Sequence, residues 1–128
     1  MSPTQSIGAA RRYACCPSLQ RRVVFISGGA TGIGECLVEQ FAAQGARVGF
    51  VDIAVEAGQA LAARLAARVA TPPLFLPCDI TDVTALREAI AQVRQRLGPI
   101  TVLLNNAAND RRHKIAESRP SSGTRPWP

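Results

Sequence analysis

Val23-Val24-Phe25-Ile26-Ser27-Gly28-Gly29-Ala30-Thr31-Gly32-Ile33-Gly34 is the stretch that decides the fold. A β-branched and aromatic run meets a glycine-rich turn, and a helical pattern starts at once. Glycines between a strand and a helix let the backbone approach a phosphate. The unpaired N–H groups and positive dipole end of the helix then hold the anion. The glycine spacing is G-x-x-x-G-x-G, and no register yields the commoner G-x-G-x-x-G.

The chain outward from this turn alternates strand and helix patterns. The first strand is expected at about Arg22 to Ser27. Ile33, Leu37, Val38 and Phe41 follow at helical spacing, and Gly45 stops that helix. A second strand runs from Arg47 to Val51 and ends at Asp52. Leu61, Leu65 and Val69 then recur once per turn until Pro72-Pro73 breaks the helix. Leu74-Phe75-Leu76 is a third strand, ending at Cys78-Asp79. Thr81 or Asp82 can cap the next helix, whose face is Val83, Leu86, Ile90, Val93 and Leu97. Gly98-Pro99 ends it. Ile100 to Leu104 is a fourth strand, apolar on both faces as a buried parallel strand requires. This order implies an α/β fold, a Rossmann-like doubly wound parallel sheet of about four strands. The expected organisation is a disordered basic leader over 1–20, the βαβαβαβ unit over 21–109, and a disordered tail over 110–128.

Composition sharpens the boundaries. The 128 residues are 47% hydrophobic, enough for one domain with a core. The net charge of +6 sits at the ends. Residues 1–22 hold four arginines and no acid, whereas residues 23–109 hold six arginines against seven acids. No run of 18 apolar residues spans a membrane, and no apolar h-region marks a secretory signal. Cys15, Cys16, Cys36 and Cys78 form no C-x-x-C pair, and His113 is the only histidine. No zinc site is expected, and reduced thiols suit a cytoplasmic protein. A nucleic-acid binder using the basic ends is disfavoured, because aromatics for base stacking are only 5% of the chain.

Three strand ends carry polar residues at the edge where open α/β sheets bind ligands. Asp52 lies 18 residues beyond Gly34. A carboxylate there can accept both hydroxyls of an adenine ribose and repels a 2′-phosphate; capping the next helix is the alternative. Asp79 closes the third strand, where a capping role is equally open. Asn105-Asn106-Ala107-Ala108 closes the fourth, where Asn side chains can also serve loose backbone groups.

Ser27-Gly28-Gly29-Ala30-Thr31-Gly32-Ile33-Gly34 resembles the T-G-x-x-x-G-I-G turn of the short-chain dehydrogenase/reductase family. Asn105-Asn106-Ala107-Ala108 resembles its N-N-A-G signature, with Ala108 in place of the last glycine. The resemblance covers about residues 21–117 and implies a nicotinamide dinucleotide as cofactor. It implies contacts from Gly28, Thr31, Gly32, Ile33 and Gly34 at the turn, and Asp52 at the ribose. It also implies Asp79 and Ile80 at the adenine, and Asn106 and Ala107 bordering the cofactor ribose. Thr31 stands where phosphate-reading members often carry Arg or Lys, so with Asp52 the expected cofactor is NAD. The run Asn105 to Lys114 is similar to that of bacterial aldose 1-dehydrogenases, which implies a sugar as the alcohol.

The family's catalytic Tyr-x-x-x-Lys pair is missing. Tyr13 is the only tyrosine and Lys114 the only lysine, 101 residues apart. No catalytic residue carries over, so the chain is expected to be inactive alone, resembling the front half of an enzyme. A shifted-frame back-translation of Ser118 to Pro128 can read A-P-E-F-W-D-E, similar to the family's T-P-E-Y-W-D-E. The tail is therefore expected to be non-native. The alternative is a catalytically silent nucleotide-binding or partner-binding module. Partners expected are NAD(H), a small alcohol or sugar for a full-length version only, no nucleic acid and no membrane. A fourth strand without an outer neighbour is further expected to self-associate.

Overall fold

The computed structural model describes residues 14–108. Strand β1 (Val23–Ser27) leads through the glycine turn into helix α1 (Gly32–Ala43). Strand β2 (Arg47–Asp52), helix α2 (Val55–Ala66) and strand β3 (Leu74–Pro77) follow, then helix α3 (Val83–Leu97) and strand β4 (Ile100–Asn105). All strand pairs are parallel, in the order β3-β2-β1-β4. The chain thus winds outward from β1 to β3, then crosses back to the other side of β1. That reversal opens a crevice beyond the carboxyl ends of β1 and β4.

Period-two alternation in β1 builds both layers of the core. Val24 and Ile26 join Val48 and Phe50 against Val38, Ala42, Leu61 and Leu65 of α1 and α2. Val23 and Phe25 join Val51 against Ala89 and Val93 of α3. All five residues of β1 are buried, and each large apolar side chain taken from water contributes about 1.5–3 kcal/mol. Gly49 lets α3 settle onto β2, since a Cβ there would lie 2.7 Å from Val93 Cγ2.

Four features differ from the sequence expectation. Ile33 shares the helical spacing of α1 but is 74% exposed, because the first turn of α1 overhangs the sheet edge. Helix α2 ends at Ala66, well before Pro72-Pro73. The N–H groups of Arg68 and Val69 both turn back to the Leu65 carbonyl there, and the residue before a proline disfavours helical backbone. Val83 is 58% exposed, so the core-facing stripe of α3 begins one turn later. Strand β4 is not buried on both faces. It pairs with β1 alone among the described residues, and its side chains alternate between half-buried and exposed.

Part of the stretch read as a leader packs against the domain. Pro17–Leu19 form a 3-10 turn. The Gln44 amide brackets the preceding segment, accepting from Cys16 N at 2.8 Å and donating to the Ala14 carbonyl at 2.9 Å. Residues 1–13 and 109–128, with Tyr13, His113, Lys114 and the tail, lie outside the described residues.

Candidate functional site

The crevice at the carboxyl edge is a cleft of about 750 Å³. Eight of the ten residues singled out from sequence line it: Gly28, Thr31, Ile33, Asp52, Asp79, Ile80, Asn106 and Ala107. Gly32 and Gly34 lie just behind, in the first turn of α1. The ends of all four strands and one helix N-terminus thus converge, as the topology demands.

The glycine turn is tied to the end of β2. Gly28 N–H and Gly29 N–H both donate to the Val51 carbonyl, at 2.8 and 3.3 Å. Ala30 N–H donates to Asp52 Oδ2 at 3.1 Å. Three successive amides of the turn are therefore already used within the protein. The first bond of α1 runs from Glu35 N–H to the Thr31 carbonyl at 3.3 Å, so the N–H groups of Gly32, Ile33 and Gly34 have no acceptor within the helix. An anion would meet those later amides and not the turn's first three. Thr31 is the N-cap by backbone geometry, yet its hydroxyl makes no capping bond.

Gly34 is required by space. A Cβ there would coincide with the Gly28 carbonyl oxygen and press on Asn106 Nδ2. Gly28 is required twice over, by a φ of +69° and by the Ala107 backbone 2.9 Å from where its Cβ would lie. The turn, α1 and the end of β4 thus meet with no room for side chains.

Ser27 is a junction that the sequence reading did not single out as a site residue. Its buried hydroxyl donates to Asn105 Oδ1 at 3.2 Å and accepts from Asn106 N and Ala107 N, each at 3.1 Å. Asn106 Nδ2 donates to the Gly28 carbonyl at 3.1 Å, closing the loop. The signal was a small hydroxyl residue at the last position of β1, opposite Asn105 in register.

The two acids use their oxygens differently. Asp52 Oδ1 accepts from Ala54 N at 3.0 Å, and Ala54, without a side-chain bond, is the N-cap of α2. Asp79 Oδ1 accepts from the Thr81 amide at 2.9 Å and its hydroxyl at 2.7 Å. Those two bonds hold the exposed Asp79 carboxyl below its ordinary range. The cap of α3 is Asp82, which accepts from Ala85 N at 3.1 Å. Cys78 is buried and lines the cleft; burial, then the charges of Asp82 and Asp79, push its thiol up. Among the described residues, no group of three His, Cys, Asp or Glu side chains could hold a metal. No helix among them is long and apolar enough to cross a membrane.

The short chain dehydrogenase family profile matches residues 22–124. The chain belongs to the short-chain dehydrogenase family. Its relatives in that family include a protein named probable galactose dehydrogenase in Rhizobium meliloti. It is 46% identical over 99 residues, covering 77% of this chain and 39% of the relative. D-xylose 1-dehydrogenase of Caulobacter vibrioides is 44% identical over 104 residues, covering 81% of this chain and 40% of the relative. The short-chain dehydrogenase fold is also seen in L-sorbose reductase from Gluconobacter frateurii, complexed with NADPH and L-sorbose. That structure matches with a TM-score of 0.72 and 26% identity, covering 78% of this chain and 38% of the other. The chain thus spans about two fifths of the length of the curated relatives it matches.

Proposed function

We propose that residues 21–109 are the NAD-binding unit of an oxidoreductase that moves a hydride between NAD and a sugar or other alcohol hydroxyl. The observation that carries this reading is the Asp52 carboxylate, set in the cleft at the end of β2 beside the glycine turn. A carboxylate there suits the free ribose hydroxyls of NAD and repels the 2′-phosphate of NADP. Thr31 brings no compensating cation. Relatives named for galactose and D-xylose support a sugar as the hydride donor.

The residues fit such a cofactor. The N–H groups of Gly32, Ile33 and Gly34 suit its pyrophosphate, and Gly32, with nothing within 4 Å of where a Cβ would lie, leaves the approach open. Asp79 and Ile80 flank the adenine end of the cleft, and Asn106 and Ala107 the other end. When bound, the nicotinamide supplies the hydride acceptor. The 128-residue chain carries no Tyr-x-x-x-Lys pair to take the hydroxyl proton, and such a base typically contributes 10²–10⁴-fold. We therefore propose that this chain binds NAD without turning over a sugar.

Calorimetry with NADH and NADPH tests the cofactor preference. NADH should bind more tightly, and Asp52→Ala combined with Ile53→Arg should reverse the ratio. Equal affinities in the unmodified chain would sink the Asp52 assignment. NADH formation from galactose or xylose by the chain alone would refute its inactivity. Binding of adenosine phosphates with no preference for a nicotinamide would instead favour a silent nucleotide-binding module.

A further inference from the structure

We propose that Asp52 is also the positioning residue of the glycine turn, holding the anion-binding end of α1 in place from the neighbouring strand. The anion-binding role of that end rests on the function proposed above. Both carboxylate oxygens are engaged by backbone: Oδ2 by Ala30 N–H at 3.1 Å and Oδ1 by Ala54 N–H at 3.0 Å. Its carbonyl meanwhile accepts from Cys78 N–H at 3.1 Å. One residue therefore ties the turn after β1, the loop before α2 and the end of β3. Ala30 lies immediately before Thr31, and α1 begins at Gly32. The Ala30–Asp52 bond is the last tie before the amides left for an anion. Gly28 N–H and Gly29 N–H are held by the Val51 carbonyl at 2.8 and 3.3 Å. Asp52 supplies the third and only charge-assisted of these ties.

The two roles make opposite demands on a substitution. If Asp52 only meets a ribose, removing its charge leaves an anion at the helix end unaffected or better bound, since a nearby negative charge is gone. If it positions the turn, the same change weakens that anion. Inorganic pyrophosphate, which has no ribose, separates the two.

Asp52→Asn keeps the shape but turns an amide N–H toward a backbone N–H. Titrated into the 128-residue chain, pyrophosphate should bind Asp52→Asn roughly tenfold more weakly, the scale of one charge-assisted hydrogen bond. Glu56→Gln makes the same charge change in the first turn of α2 and should not weaken binding. Hydrogen exchange in the ligand-free chain should show the Ala30 amide losing roughly tenfold in protection. Should Asp52→Asn not fold, the unmodified chain still decides. Its Ala30 amide, tied to Asp52, should exchange at least roughly tenfold more slowly than the Gly32 amide, which has no acceptor within the helix. Unchanged or tighter pyrophosphate binding with unchanged Ala30 protection, or an Ala30 amide in the unmodified chain that exchanges as fast as that of Gly32, overturns the proposal. If Ala30 loses protection while even the unmodified chain binds neither pyrophosphate nor NADH, the nucleotide reading fails and the tie itself stands.

Discussion

Gly32 and Gly34 are two residues apart and are glycine for different physical reasons. Gly32 has a φ of +60° with nothing within 4 Å of an added Cβ, so its demand is conformational. Gly32→Ala should cost about 1–2 kcal/mol, the penalty of left-handed backbone, and leave the cleft's shape intact. Gly34 has ordinary backbone but no space, because its Cβ would meet the Gly28 carbonyl. Gly34→Ala must push the turn off α1, at about 1–3 kcal/mol for overpacking, and should abolish NADH binding as well. Urea midpoints and NADH titrations on both variants check this. Equal loss of binding in the two would show that space is not what Gly34 provides. Asp79 offers a second test at this scale. The Thr81 bonds depress its pKa in the folded chain. The stabilisation is therefore complete above the unfolded-state pKa and is lost as pH falls through the folded value. Thr81→Val removes the hydroxyl bond and keeps the amide bond, so it should move the Asp79 carboxyl midpoint part of the way back up and flatten that part of the acid limb of stability. A midpoint unmoved by Thr81→Val would mean the hydroxyl bond does not set it.

Glycine inside a helix usually costs stability, and α2 reverses that rule. Gly58 faces β3, and a Cβ there would run into the Phe75 ring, which itself stacks on Phe50 with centroids 5.1 Å apart. Helix propensity alone makes Gly58→Ala stabilising by about 1 kcal/mol. Overpacking against the paired rings costs about 1–3 kcal/mol, so the net change should be destabilising. Thermal unfolding of Gly58→Ala decides the sign, and a raised Tm would show that α2 can lift away from Phe75. The same contact shows where sequence reading stops. The turn between β1 and α1, the Asp52, Asp79 and Asn106 strand ends, and Gly45 (φ +85°) after α1 were legible because each is a local pattern. Periodicity, however, records which side chains share a face and not whether anything covers it. Ile33 and Val83 share their helices' apolar faces, yet both precede the point where the sheet begins beneath them. Strand β4 reads as buried by composition, but burial there depends on a neighbour and not on its own residues. The Ala30–Asp52 bond was illegible because its partners lie 22 residues apart, and Ser27, 79 residues from Asn106, offered only its small hydroxyl at a strand end.

The described sheet has one side closed by short β3 and the other left to β4. Strand β4 reads Ile100-Thr101-Val102-Leu103-Leu104-Asn105, with no charge and no proline. Natural edges usually carry such features to prevent pairing with another chain. Leu103 is 67% exposed, on the sheet face that carries Phe25 rather than Ile26. The 128-residue chain should therefore self-associate through β4, seen as early elution on size-exclusion chromatography. Leu103→Lys places a charge on this edge at little cost to the fold, since exposed substitutions usually change stability by about 0.5 kcal/mol or less, and it should return the chain toward monomer. Salt separates this from an electrostatic alternative. Each copy carries +6, so copies repel at low ionic strength, and at about 0.15 M salt the screening length falls to about 8 Å. Pairing through an apolar edge should then strengthen as salt rises. Association that dissolves in salt would point instead to ion pairs between the copies, arginines such as Arg22 and Arg47 meeting carboxylates. A salt-independent monomer with a sharp melting transition would show that β4 does not pair between copies.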